Sequence, residues 1–188
     1  MNAPTEHEPV LVPLAAGFEE IEAITIVDVL RRAGLSVVVA GLVPGPVAGS
    51  HGIVVVPDTH LGAVDLERVG MLVLPGGMPG TRNLMADERV VALARRLHAA
   101  GRRTAAICAA PLVLHAAGVT DGLRITSHPS VRGELARAAV DGAARVVHSG
   151  TVTTSQGVGT ALEFALALVA DVRGPERAAE LARAMVAG

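Results

Sequence analysis

The sequence predicts an α/β fold built on a mostly parallel sheet with helices on both faces. Two observations carry this. Short unbroken runs of Val, Leu and Ile alternate with stretches of helical length. A strand that is apolar on both sides must be covered on both sides, which is the situation of a parallel sheet between helical layers. In addition, no repeat, low-complexity linker or shift in composition divides the chain. Its 188 residues suit a single domain over residues 10–188, preceded by a flexible polar tail over residues 1–9.

The elements follow in order. Val10–Leu14 reads as a strand, Glu19–Ala33 as a helix and Leu35–Ala40 as a second strand. Ile53–Val56 reads as a short strand after a Gly/Pro-rich turn, and Met71–Leu74 as a buried strand ending at Pro75-Gly76-Gly77. Asp87–Ala100 reads as a helix, with Asp87 able to cap its first turn and Gly101 able to stop it. Thr104–Ile107 is a further buried strand, followed by a helix from about Ala109 to Ala117. Arg124–Thr126, Arg145–Val147 and Val152–Thr154 are candidate short strands. Two helices close the chain. The first opens at Thr160, with Glu163 at capping-box spacing. The second has Pro175 in its first turn, where a missing N–H costs little.

Composition excludes several chemistries. All sixteen basic residues are Arg, so Schiff-base, Ser–Lys and P-loop lysine chemistry are absent. Two Phe and no Trp or Tyr leave no stacking platform for bases, and a net charge of −2 with scattered Arg gives no basic stripe, so no nucleic-acid partner is expected. One cysteine forms neither an internal disulfide nor a Cys-rich metal site. No metal-ligand spacing, G-x-G-x-x-G or Walker motif occurs, and no metal or other cofactor is expected. The longest apolar stretch, Thr104 to Val119, is broken by Pro111 and His115, so no membrane span is expected. The expected address is the cytoplasm.

In parallel sheets, sites form beyond the carboxyl ends of the strands. Three loops qualify: Ala15–Glu22, Pro75–Gly80 and Cys108–Pro111. Cys108 stands where a strand turns into a helix, and there a thiol feels the positive end of the helix and is expected to titrate low. On composition alone it reads equally as a small core residue. Gly76 and Gly77 would let backbone N–H groups approach a developing oxyanion, with Gly77 paired to the amide of Ala109. A tight turn explains the same glycines. Of the acids Glu19, Glu20 and Glu22, two are accounted for by the preference of carboxylates for helix starts. Glu22 lies on an apolar stripe with Phe18 and Ile26, where a carboxyl would hold its proton. Glu19 shares part of that face, and periodicity does not choose between them. His128 precedes a proline that holds it extended; it reads either as a proton carrier beside Cys108 or as a surface-turn residue.

Jointly these segments resemble the ThiJ/PfpI superfamily, in the branch of the parkinsonism-associated protein deglycase. The resemblance is carried by Gly17-Phe-Glu-Glu-Ile-Glu22, Val27-Asp-Val-Leu-Arg-Arg-Ala-Gly34, Val73-Leu-Pro-Gly-Gly77, Ala105-Ala-Ile-Cys-Ala-Ala-Pro111, Thr126-Ser-His-Pro129 and Thr154-Ser-Gln-Gly-Val-Gly-Thr160, in order over nearly the whole chain. It implies a flavodoxin-like three-layer sandwich with a nucleophile elbow, a homodimer and no cofactor. It also implies that Cys108 is the nucleophile, Glu22 the protonated acid bonded to it, His128 the nearby histidine, and Gly76, Gly77 and Ala109 the oxyanion and substrate-binding positions. The implied activity is that of a glyoxalase or deglycase on methylglyoxal-like carbonyl substrates, through a thiohemiacetal on Cys108. The alternative is a non-catalytic oxidative-stress sensor or chaperone that uses reversible oxidation of Cys108. Gln156 occupies a position that is Arg in close relatives, His51 falls near another such Arg, and Arg32 is retained.

Overall fold

The structure, a computed structural model, describes residues 8–187. In chain order the strands are β1 (Val10–Leu14), β2 (Val37–Gly41), β3 (Val47–Ala48), β4 (Val54–Val55), β5 (Thr59–His60) and β6 (Met71–Leu74). They continue with β7 (Arg103–Ile107), β8 (Arg124–Ile125), β9 (Ala139–Val140), β10 (Val146–Ser149) and β11 (Val152–Ser155). The helices are α1 (Glu20–Arg32), α2 (Gly80–Ala86), α3 (Glu88–Ala99), α4 (Pro111–Ala116), α5 (Ala161–Arg173) and α6 (Pro175–Ala184). The central sheet has the order β10-β11-β7-β6-β1-β2-β5 and is parallel except where β10 and β11 run antiparallel.

The unbroken apolar strands divide their side chains between two cores, as a pleated strand must. Val10, Val12 and Leu14 of β1, with Val73 and Ile107, pack with Ile26, Phe164 and Leu168 from α1 and α5. Leu11, Leu72, Leu74 and Ala106 pack on the other face with Leu84, Leu97 and Leu114 from α2, α3 and α4. The result is a flavodoxin-like three-layer sandwich. From β1 the chain builds outward through β2 to β5, then returns to place β6 on the other side of β1 and builds through β7 to β11. The carboxyl ends of β1 and β6 therefore flank the point where strand order reverses, the place where such sheets carry their sites.

Several local expectations are corrected. The short strand read at Ile53–Val56 is present as β4, but over Val54–Val55 only, and it pairs antiparallel with β3 in a hairpin separate from the main sheet. α4 starts at Pro111 rather than Ala109, because Cys108–Ala110 form the turn. The Thr160–Glu163 capping box does not form. Thr160 Oγ1 instead donates to the Gly157 carbonyl (2.8 Å) and accepts from the Gly157 N–H (3.1 Å), while Glu163 pairs with Arg145. At α3 the expected cap is present, with Asp87 Oδ1 accepting from the Arg89 N–H at 3.0 Å. Of the tail expected over residues 1–9, residues 1–7 lie outside the described residues, and Glu8 pairs with Arg102.

Candidate active site

β7 ends at Ile107 and the chain reverses through Cys108 before α4 begins. Cys108 has φ +64°, the left-handed region, which costs a residue with a Cβ about 1 kcal/mol. Two backbone bonds fix it there. Its N–H donates to the Ser155 carbonyl (3.0 Å), and its carbonyl accepts from the His128 N–H (2.8 Å). Strain held by surrounding bonds is the signature of a strand-to-helix elbow that projects a nucleophile.

Gly76, just after β6, lies against this elbow. A Cβ there would stand 2.6 Å from the Cys108 Cβ and 2.8 Å from Glu22 Oε2, so only glycine lets the two loops meet. Its N–H donates to Glu22 Oε2 at 2.8 Å. Gly77, at φ +91°, and Ala109 direct their backbone N–H groups at the Cys108 sulfur.

The three acids of the α1 entry have three different jobs. Glu19 is the N-cap, its Oε2 accepting from the Glu22 N–H at 2.7 Å. Glu20 is buried and tethers a loop: its carboxylate accepts from the His51 N–H (2.6 Å) and Ser50 Oγ (3.2 Å) and meets His51 Nδ1 at 3.0 Å. Burial opposes its charge, but the His51 side-chain and backbone bonds outweigh it and hold the carboxyl at about 2. The helix-start preference that accounted for two of these acids thus does not describe Glu20. Glu22 is fully buried, with Oε2 on Gly76 and Oε1 with no partner other than the Cys108 thiol beside it.

His128 is exposed and opens a short 3₁₀ turn. Its Nδ1 accepts from the Ser130 N–H (3.3 Å) and meets Ser130 Oγ at 2.7 Å, which leaves the ring proton of the neutral form on Nε2. A cleft of about 390 Å³ opens over Cys108 and His128, walled by Arg145, Gln156 and Gly157. A Cβ on Gly157 would sit 3.6 Å from His128 Cδ2 and 3.9 Å from both Cys108 Sγ and Glu22 Oε1. Cys108, Glu22 and His128 therefore border one small volume. In the sequence Gln156 stands out and Thr154–Thr160 is one of the matching stretches, but residues 156–160 are not among the expected site loops, although they follow the carboxyl end of β11. The strand-end rule that singled out the other three loops points to them equally.

Burial pushes Glu22 up to about 7, against the opposing bonds from Gly76 and Cys108. Burial first, then the Glu22 charge and its hydrogen bond, push the Cys108 thiol up to about 12, while the Gly77 and Ala109 N–H groups pull it down. The low thiol expected from the helix start alone is therefore not what an ionised Glu22 gives. α4 has only six residues, and the nearest titratable neighbour of the sulfur is an acid.

The sequence profile of the DJ-1/PfpI family matches residues 8–171. The chain belongs to the DJ-1/PfpI family. It is 42% identical over 179 residues to the protein dj-1beta of Drosophila melanogaster, covering 94% of this chain and 95% of that one. The crystal structure of that relative superposes with a TM-score of 0.92 and covers 96% of this chain and 98% of the other. A Caenorhabditis elegans relative named glutathione-independent glyoxalase DJR-1.2 is 38% identical over 162 residues, 85% of each chain. The structure of an oxidized Toxoplasma gondii DJ-1 is 34% identical, with a TM-score of 0.87 over 95% of this chain and 98% of that one. In this DJ-1/PfpI chain, no helix among the described residues is long and apolar enough to cross a membrane. Ligand atoms of Glu19, Glu20 and His51 lie within 4.8 Å of one another, but the Glu20 oxygens are occupied by the loop they tether.

Proposed function

We propose that this protein is a glyoxalase- or deglycase-type enzyme that turns methylglyoxal-like α-oxoaldehydes, or their early adducts, into 2-hydroxy acids through a thiohemiacetal on Cys108. The observation that carries the reading is a buried Glu22 Oε1 whose one neighbour able to share a proton is the Cys108 sulfur. An ionised Glu22 would leave a buried charged oxygen faced only by the Cys108 S–H, a weak donor, whereas a thiolate has the Gly77 and Ala109 N–H groups and an opening to the cleft. The proton of the pair therefore belongs on Glu22. From there it reverses the sign of Glu22's influence on the sulfur and favours the thiolate.

The thiolate adds to the aldehyde carbon; a C–S bond forms, the carbonyl electron pair moves to oxygen, and a proton from Glu22 or His128 neutralises it. Transfer of a proton from that carbon to the neighbouring ketone carbon oxidises the first and reduces the second, giving a hydroxyacyl thioester. Water then displaces the thiolate and releases the hydroxy acid. The redox change is internal to the substrate and one water is added, so no cofactor is needed. Gly76, Gly77 and Ala109 line the oxyanion side.

The relative named a glyoxalase supports this reading. Steady-state conversion of methylglyoxal to lactate, absent in Cys108→Ser, is the expected result; a rate equal to that of the Cys108→Ser protein overturns it. A second reading, reversible oxidation of Cys108 as a stress sensor, is favoured by the partial exposure of the thiol and by the relative described as oxidized. It requires stoichiometric oxidation of Cys108 by peroxide with no turnover of carbonyls. The working unit is a homodimer, for which the exposed Ile21 and Ile24 on α1 speak.

A further inference from the structure

Two polar side chains of the cleft wall, Gln156 and Arg145, are already engaged by the protein itself. Gln156 Nε2 donates to two carbonyls, Gly142 at 3.1 Å and Ala144 at 2.8 Å. An amide nitrogen has two protons, and both neighbours are acceptors, so the orientation of the amide is set by its partners. Oε1 is left as the polar end of Gln156 that meets no donor among the described residues, on a side chain that lines the cleft with Cys108. Arg145 is the cation of the same wall, and it too is engaged. Its Nε donates to Glu163 Oε2 at 2.6 Å and its Nη2 to the Gly159 carbonyl at 2.8 Å. A substrate entering here meets a bare acceptor and a guanidinium whose charge is already balanced.

We infer that the Cys108 cleft selects uncharged carbonyl compounds bearing an O–H or N–H donor, which Gln156 Oε1 accepts, and discriminates against compounds bearing a carboxylate or phosphate. A carboxylate beside Oε1 would place acceptor against acceptor, and the Arg145 charge that could offset this is already paired with Glu163. The inference deepens the proposed function by naming the substrate class of that site. Its test does not depend on turnover.

The probes are iodoacetamide and iodoacetate, which differ by an amide in place of a carboxylate. Each is attacked by the sulfur with formation of a C–S bond and loss of iodide. The ratio of their alkylation rates at Cys108 is compared with the same ratio for a small free thiol under the same conditions. The wild-type protein should favour iodoacetamide beyond the free thiol by about tenfold, the order that one hydrogen bond supplies. Gln156→Met should return the ratio to the free-thiol value, and Gln156→Arg should carry it below. A wild-type ratio equal to or below that of the free thiol overturns the inference and needs no variant. An elevated ratio that survives Gln156→Met, in a protein whose thermal melt matches wild type, also overturns it. As a second readout, kcat/KM should fall in the order hydroxymethyl-, methyl-, carboxylate-substituted glyoxal. A protein that shows the alkylation preference but turns over none of the three refutes the enzymatic reading and leaves the selectivity standing.

Discussion

Glu22 couples the candidate site to the stability of the whole chain. Its carboxyl rises from 4.5 to about 7 on folding, chiefly through burial. A carboxyl that binds its proton more tightly when folded stabilises the native state fully below the unfolded value, near 4.5, and that contribution is lost as pH climbs to about 7. The loss is steepest at about 1.4 kcal/mol per pH unit. Gln in its place can still accept from Gly76 and does not ionise. Urea midpoints of Glu22→Gln should therefore gain on wild type from pH 5 to pH 7, and parallel curves would show that Glu22 does not carry the proton. His128 makes a different prediction. The thiolate is served by Gly77, Ala109 and Glu22, so the imidazole is left to move protons on the bound carbonyl. His128→Ala should lower turnover by about 10²–10⁴-fold and leave the alkylation rate of Cys108 largely intact. A joint fall of both rates would reassign His128 to ionising the sulfur.

At the scale of elements, β10 is the antiparallel edge of an otherwise parallel sheet, and edges open easily. It is latched by His148, whose Nδ1 lies 3.2 Å from Asp171 Oδ2 on α5. The same oxygen accepts from Thr153 Oγ1 at 3.1 Å and has Arg103 Nη1 3.7 Å away. The Asp171 hydrogen bond raises His148 above its usual 6.5; burial works against Asp171, yet the His148 bond holds it below 3.8. The raised histidine stabilises the fold below 6.5 and is lost as pH rises past its folded value, and the lowered aspartate is lost only in acid. Amide exchange of β10 should quicken from pH 5.5 to pH 8 beyond the intrinsic chemical rate, and His148→Gln should remove the excess. An excess that persists in His148→Gln would place the latch elsewhere. This edge also marks how far the sequence can be read. Val10–Leu14 and Met71–Leu74 are buried on both faces, and burial on both faces writes an unbroken apolar run. Strands β5 and β9, of two residues each, carry too few side chains to write a period, and α2 begins with Gly80 inside a loop that reads as a turn. Cys108 and Gly76 were legible because each ends a readable strand. The cap at Thr160 was misread because its hydroxyl has a nearer partner in Gly157, a contact that three-residue spacing does not encode.

For the whole molecule, the helical layer containing α1, α5 and α6 is apolar on the side it should show to water. Ile21 and Ile24 of α1 are 56% and 48% exposed, while Ile26, Val29 and Leu30 of the same helix face the core. A helix covering one side of a sheet needs only one apolar stripe, so the second stripe calls for a partner. Beside Ile24 a groove of about 460 Å³ runs between α1 and the last helices, floored by Val29, Leu162 and Met185, with the Arg32–Asp28 ion pair on its rim. A stripe and a groove on one face suit a two-fold contact, in which each surface receives its own copy. Sedimentation of the wild-type chain at micromolar concentration should give twice the monomer mass. Ile24→Glu places a charge at the centre of that contact and should yield a monomer with an unchanged circular dichroism spectrum, since the side chain takes no part in the core. A monomeric wild type, or an Ile24→Glu protein that stays dimeric, would mean that this stripe is not the contact. Glu22 lies between Ile21 and Ile24 on the same turn of α1, so monomerisation also loosens the helix that holds the acid against Cys108. The monomeric variant should alkylate more slowly at Cys108 than wild type, and an unchanged rate would separate the dimer contact from the chemistry.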